Sequence, residues 1–208
     1  MNESQPTIWW EKTVEYQFVL QADRECGLTL ALPLSGVQEL FSDGVFAKSA
    51  SLVLIEFKRS AAELDSEKNK FDCYAEAEKD LLGHDGHHFL VYGREYKPLP
   101  DPSLVLTACT YFGREEISGV PKKLLEAGIS PECFNKYLTK FAGFKKSDGR
   151  STGKIGPESL ATVVGISLNT KQCQAISLTE YYRMFFPNLY EPPSPTRIRP
   201  KQQGMRGV

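Results

Sequence analysis

The clearest hydrophobic pattern in the chain lies between Phe41 and Arg59, where a short apolar segment is followed by a longer one. Leu52–Ile55 is an aliphatic, partly β-branched run, which favours a strand buried on both faces. Because side chains alternate along a strand, Glu56 and Lys58 are expected to share one face. That face also carries Leu52 and Leu54, and the other carries Val53, Ile55 and Phe57. Two charged groups at the end of a buried strand are costly unless they have partners or a function.

The segments before this strand supply two further carboxylates. Asp43-Gly44 is a turn signal, and a hairpin between the following segment and the strand would place Asp43 beside Glu56. Upstream, the apolar spacing predicts a helix from about Pro6 or Thr7 to about Asp23. Glu15 lies on or beside the buried stripe of that helix. It is either a glutamate at the solvent boundary or a carboxylate directed at a metal ion.

The rest of the chain divides into a mixed segment and a helical one. After Arg59 we expect a helix from about Ser66 to about Leu82, ended by Gly83, and then strands over 89–92 and 104–109. From Glu115 onward the pattern predicts helices. These comprise Pro121–Ala127, a helix with Ser130 as its cap and Pro131 in its first turn, a short helix from Pro157, and Leu178–Phe186 with a capping box at Ser177.

Composition indicates an ordinary globular protein. The chain has 208 residues, 41% of them hydrophobic and 25% charged, with a net charge of -1, so any surface for nucleic acid must be local. Five scattered cysteines without a Cys-x-x-Cys pair favour a reduced, cytoplasmic setting. No secretory signal or membrane-spanning run is visible.

The predicted architecture is an α/β protein with a central mixed sheet of about four or five strands flanked by helices. We divide it into an α/β core over residues 1–115, a C-terminal helical appendage over 116–190 packed on that core, and a mobile basic tail rich in proline and arginine over 191–208.

Two polar clusters have both functional and ordinary interpretations. The sequence His84 to His88 favours a polar turn over a metal cluster, since its spacing fits no zinc pattern. Lys145, Lys146, Arg150 and Lys154 lie in a segment rich in glycine, serine and lysine, which predicts an exposed loop. These four residues are candidates for contacts with phosphates, with a solvated linker as the default.

The order of elements and charged residues resembles the PD-(D/E)xK nuclease superfamily over roughly residues 7 to 95. The residues that carry the resemblance are Asp43, Glu56, Lys58 and the helix glutamate Glu15. The proline that gives the family part of its name is replaced here by Ser42. The resemblance implies a restriction-endonuclease-like αβββαβ core. The segment after residue 115 matches no family that we can name.

The resemblance also implies metal-dependent hydrolysis of phosphodiester bonds, most plausibly in DNA. Asp43 and Glu56 would hold Mg²⁺, for which Mn²⁺ can substitute, and the Phe57 carbonyl and Glu15 would be further ligands. Lys58 would position the attacking water.

The implied partner is nucleic acid, and a homodimer or a place in a larger complex is compatible with the sequence. The alternatives are a catalytically inactive subunit on the same fold that binds DNA or protein, and an unrelated α/β interaction domain in which the Glu56–Lys58 pair is only structural.

Overall fold

The computed structural model describes residues 9–26, 29–31, 50–96, 103–147, 150–151, 161–169 and 172–188. The helices are α1 Glu11–Cys26, a 3-10 helix Ala61–Lys70, α2 Tyr74–Leu81, α3 Lys122–Glu126, α4 Pro131–Phe144 and α5 Leu178–Phe185. The strands are β1 Thr29–Ala31, β2 Ala50–Lys58, β3 His88–Tyr96, β4 Ser103–Thr110, β5 Glu116–Ile117, β6 Lys146–Ser147, β7 Arg150–Ser151, β8 Ala161–Ser167 and β9 Gln172–Ser177.

One mixed sheet organises the described part of the chain, in the order β1-β9-β8-β2-β3-β4-β5. It has six strands of three or more residues, and the two-residue β5 lies at one edge. Strand β2 is parallel to β3 and antiparallel to β8, so it is central. The α/β class and the mixed sheet flanked by helices are therefore confirmed, while the expected number of strands was too low.

Helices cover both faces of the sheet. Val14, Phe18 and Ala22 of α1 pack on one face, together with Leu124 and Leu125 of α3. The other face is covered by the segment after β2 and by α2, α4 and α5. Its buried residues include Phe71, Leu81, Phe134, Phe141, Leu178 and Tyr182. Each layer follows from an apolar stripe on its helix, as expected for helices that pack on one side only.

The predicted alternation along β2 is confirmed. Leu52 and Leu54 belong to the cluster under α4, whereas Val53, Ile55 and Phe57 belong to the cluster under α1. Every residue from Leu52 to Lys58 is buried. Glu56 and Lys58 therefore enter the layer that contains the 3-10 helix and α4.

The predicted hairpin on β2 does not fit the observed pairing. Residues Ala50–Glu56 pair with β8, and Leu54–Lys58 pair with β3 on the opposite edge. Leu52 also bridges Ile129. Both edges of β2 are therefore occupied by described strands over Leu54–Glu56. Asp43 itself lies outside the described residues.

The C-terminal segment is not an all-helical appendage. Strands β8 and β9 occupy interior positions of the main sheet, and β8 is the direct neighbour of β2. Both strands carry buried apolar residues, such as Val163 and Ile176, which are in register. The predicted boundary between an α/β core and an appendage, at residue 116, therefore divides one continuous hydrophobic core. The short helix expected from Pro157 begins outside the described residues.

Local signals placed several helix ends correctly. Ser130 Oγ accepts a hydrogen bond from the Cys133 amide at 3.4 Å, and Ser177 Oγ accepts one from the Glu180 amide at 3.0 Å. Gly83 follows α2 with φ of 82°, a conformation that favours glycine. The helix expected from Ser66 is instead a 3-10 helix up to Lys70, then a break before α2. No helix in the described ranges is long and apolar enough to cross a membrane.

Candidate functional site

Buried charges collect where the carboxyl end of β2 meets the 3-10 helix and the end of α4. Glu56 is 3% exposed, Lys58 is 6% exposed and Glu67 is fully buried. Lys70 ends the 3-10 helix, and Lys145 directly follows α4. We call these five residues the charge cluster.

Each carboxylate of the charge cluster contacts more than one ammonium group. Lys70 Nζ lies 2.7 Å from Glu56 Oε2 and 2.7 Å from Glu67 Oε1. Lys58 Nζ lies 2.5 Å from Glu67 Oε1. Lys145 Nζ lies 3.6 Å from Glu56 Oε1 and 3.7 Å from Glu67 Oε2. The cluster thus joins three lysines to two glutamates, and Lys70, whose side chain is 37% exposed, lies nearest to solvent.

Within the cluster, the pKa values of Glu56 and Lys145 are shifted in the directions that this geometry requires. Burial alone would raise the pKa of Glu56, but the ammonium groups of Lys145 and Lys70 outweigh it and hold that pKa well below its usual range. Burial lowers the pKa of Lys145, and the like charge of Lys70 adds to the effect, although Glu56 opposes it. Glu56 is therefore a stable carboxylate, and Lys145 is the ammonium that loses its proton more readily than usual.

Aromatic residues close the cluster on its inner side. The Tyr111 hydroxyl donates to Glu67 Oε2 at 2.8 Å and accepts from Lys145 Nζ at 3.1 Å. The His88 ring stacks on the Tyr111 ring at 4.0 Å between centroids, and its Nδ1 lies 2.7 Å from the Tyr137 hydroxyl. Burial and the positive charge of Lys145 hold the pKa of His88 well below its usual value, so the ring is neutral.

The turn before β3 has a structural role, in agreement with its interpretation as a polar turn. Asp85 is buried, and its Oδ2 accepts from the backbone amides of Phe112 at 2.7 Å and Gly113 at 3.3 Å. His87 is buried between the rings of Phe134 and Tyr137. These contacts attach the turn to the end of β4 and to α4.

The structure brings together only part of the residue set implied by the nuclease resemblance. Glu56 and Lys58 are on one face of β2, as expected. Glu15 lies on α1, which covers the opposite face, and its carboxylate pairs with Lys12 at 2.6 Å. The Phe57 ring meets Phe18 of α1 at 5.6 Å between centroids, and the role of the Phe57 carbonyl as a ligand stays a prediction. The structure therefore does not bring Glu15 to Glu56, and the position of Asp43 stays a prediction.

The candidate phosphate contacts need one correction. Lys145 was expected in an exposed loop, but it is 8% exposed, and its Nζ also lies 4.5 Å from the centroid of the Phe141 ring. It belongs to the charge cluster because the chain turns inward at the end of α4. Lys146 and Arg150 fall in the two short strands β6 and β7, of which the backbone alone is described. Lys154 lies outside the described residues.

Sequence reasoning missed Glu67, Lys70 and Tyr111 as members of the site. The charged segment after Arg59 looks like a solvated helix, and its 3-10 geometry changes which residues face inward. The available signal was the spacing of Glu67 and Lys70, which lie three residues apart in the segment that directly follows Lys58. Three-residue spacing places side chains on one face of a 3-10 helix.

The described residues do not by themselves fit a divalent cation. Both carboxylate oxygens of Glu56 are within 3.6 Å of an ammonium group. The three lysine ammonium groups of the cluster would also repel a divalent cation. Across the described ranges, no three His, Cys, Asp or Glu side chains are grouped so as to hold a metal ion. A Mg²⁺ site would therefore depend on Asp43 and on release of at least one lysine from Glu56.

Comparison with protein-family models, curated proteins and solved structures finds no match for this chain.

Proposed function

We propose that this protein hydrolyses phosphodiester bonds in DNA, in the manner of the PD-(D/E)xK nucleases. The observation that supports the proposal is the burial of Glu56 and Lys58, on one face, at the carboxyl end of a central strand, after the apolar run Leu52–Ile55. In open α/β sheets, ligands bind outside the carboxyl ends of the strands. Strand β3 runs parallel to β2 and ends in the same direction.

In this proposal each residue of the charge cluster has a defined task. Lys58 holds the attacking water and stabilises negative charge that develops on the phosphate. Glu67, at 2.5 Å from Lys58 Nζ, keeps that ammonium in place between turnovers. Glu56 is held as a carboxylate by Lys70 and Lys145, and it would share a divalent ion with Asp43. Because the described residues alone do not fit that ion, no step is assigned to it.

A second candidate is the catalytically inactive subunit, which binds nucleic acid or protein on the same scaffold. The observation in its favour is that Lys58 and Glu56 already have close partners of opposite charge within the fold. A buried charge network that is fully paired can serve folding alone.

The experiment that separates the two is a cleavage assay on supercoiled and linear DNA, and on RNA, with Mg²⁺ or Mn²⁺ and with a chelator. We expect cleavage that requires the cation, and a loss of about 100-fold or more in Lys58→Met. The matched control is Lys79→Met, since Lys79 is an exposed residue of α2 outside the charge cluster. A thermal melt of each variant checks that the fold is retained.

Two results would count against hydrolysis. Equal degradation by wild type and Lys58→Met would mark the activity as a contaminant. Salt-dependent binding of DNA without cleavage would support the inactive subunit instead.

A further inference from the structure

A cavity of about 560 Å³ opens between the turn after α2 and the first half of α4. It lies within the size range of about 300–1,000 Å³ that is usual for small-molecule sites. Tyr137 lines the cavity, and its hydroxyl contacts His88, whose ring stacks on Tyr111 beside the charge cluster. The cavity is otherwise lined by residues to which the proposed hydrolysis assigns no role.

One part of the wall is apolar. Leu81, Ala127 and Ile129 line the cavity with the Tyr137 ring. Ligand sites combine apolar and aromatic surface of this kind with a few polar groups that fix orientation. Such a surface suits one face of a planar ring.

His87 forms a second part of the wall, and one nitrogen of its ring is enclosed without a partner among the described residues. His87 is 3% exposed, and its Nε2 makes no hydrogen bond within the described part of the chain. A buried polar atom left in this state is costly, so a ligand that satisfies it gains affinity. Burial lowers the pKa of His87 to about 4, against the opposing effect of Asp85, so at neutral pH the ring is uncharged.

The third part of the wall is basic. Lys136 and Lys140 line the cavity from successive turns of α4. Their partners Glu132, at 2.7 Å, and Asp80, at 3.4 Å, are not among the lining residues. Exposed pairs of this type contribute little to stability, so an anion in the cavity can recruit both ammonium groups.

We propose that this cavity is a binding site for an organic anion with a planar ring, of the size and chemistry of a mononucleotide. The ring lies against Tyr137 and Ile129 and hydrogen-bonds to His87, and the phosphate lies between Lys136 and Lys140. The proposal is independent of the proposed hydrolysis, because it concerns a different set of side chains.

The test is isothermal titration calorimetry of the full chain with AMP, adenosine and inorganic phosphate, each in the presence of a chelator. We expect AMP to bind at least about tenfold more tightly than adenosine or phosphate alone. Gly86 lines the cavity, and a Cβ atom added there meets nothing within 4 Å. The variant Gly86→Phe should therefore fold, fill the cavity and weaken AMP binding by about tenfold or more.

The matched control is Gly143→Phe, because a Cβ atom at Gly143 also meets nothing within 4 Å and this residue does not line the cavity. It should bind AMP like wild type.

The double variant Lys136→Ala/Lys140→Ala should lower the affinity for AMP but not the affinity for adenosine. No binding of AMP at millimolar concentration, equal binding by the two glycine variants, or adenosine binding as tight as AMP would overturn the proposal. The titrations are carried out without free divalent cations, which cleavage requires. A failure of AMP binding is therefore distinguishable from a failure of DNA cleavage.

Discussion

Strand β2 meets two different environments on its two faces. On one face Val53, Ile55 and Phe57 pack under α1 in an apolar layer. On the other, the apolar run ends and Glu56 and Lys58 enter the charge cluster. Apolar burial is non-directional and follows the area removed from water, whereas each buried charge needs a particular partner. The charged face should therefore respond strongly to single polar substitutions and to pH, and the apolar face only to changes in volume.

The largest expected effect is that of Glu67→Ala. This change removes the partner of Lys58 and one partner each of Lys70, Lys145 and Tyr111, and it leaves the buried Lys58 ammonium without its described partner. We expect the free energy of unfolding to fall by about 3–5 kcal/mol. Urea denaturation followed by circular dichroism measures it. The control is Glu63→Ala, in the same 3-10 helix, where a half-buried carboxylate pairs with Arg59. A similar loss in both variants would contradict the special role of Glu67.

The next largest effect concerns pH. In the folded protein the pKa of His87 is lowered to about 4, from an unperturbed value of 6.5. Between these values the unfolded chain binds more protons, so stability is full above about pH 6.5 and falls as the pH drops towards 4, by up to about 3 kcal/mol. His88, whose pKa is also lowered, acts in the same direction.

Urea titrations at several pH values measure this dependence. His87→Phe should flatten the slope between about pH 6.5 and 4, because one of the two proton-binding groups is removed. The matched control is His84→Gln, which replaces an exposed histidine of the same turn and leaves His87 in place. An unchanged slope in His87→Phe would show that burial does not hold this ring neutral.

The smallest effect belongs to the apolar face. Ile55→Val removes one methyl group from a fully buried site and should lower the free energy of unfolding by about 1 kcal/mol. Because no charge is involved, the loss should be the same at pH 7 and at pH 5. A pH-dependent loss would mean that the two faces are coupled more closely than their separate clusters indicate.

These differences also explain which features could be predicted from the sequence. The aliphatic run Leu52–Ile55 predicted the strand, and the alternation of side chains along it predicted both faces and the shared face of Glu56 and Lys58. Both are local properties of the sequence. The caps at Ser130 and Ser177 were predicted for the same reason. Such signals need only a few neighbouring residues.

The features that could not be predicted depend on contacts between residues that are distant in the sequence. Strand β8 lies more than 100 residues after β2, and nothing local indicates that it, rather than the segment from Asp43, pairs with β2. Likewise, Lys145 looks like part of a basic loop until the end of α4 carries it to Glu56 and Glu67. Contacts between distant parts of the chain decided both outcomes. The roles of Asp43, Lys146, Arg150 and Lys154 stay predictions.

The most direct test of whether the Glu56–Lys58 pair serves chemistry is the double variant Lys58→Met/Glu67→Leu. Replacing both partners of a buried ion pair by apolar residues of similar volume is often close to neutral for stability. If Lys58 acts on the substrate, the free energy of unfolding should stay within about 2 kcal/mol of wild type while cation-dependent DNA cleavage falls by about 100-fold or more. Cleavage at the wild-type rate in this folded double variant would contradict the proposed role of Lys58.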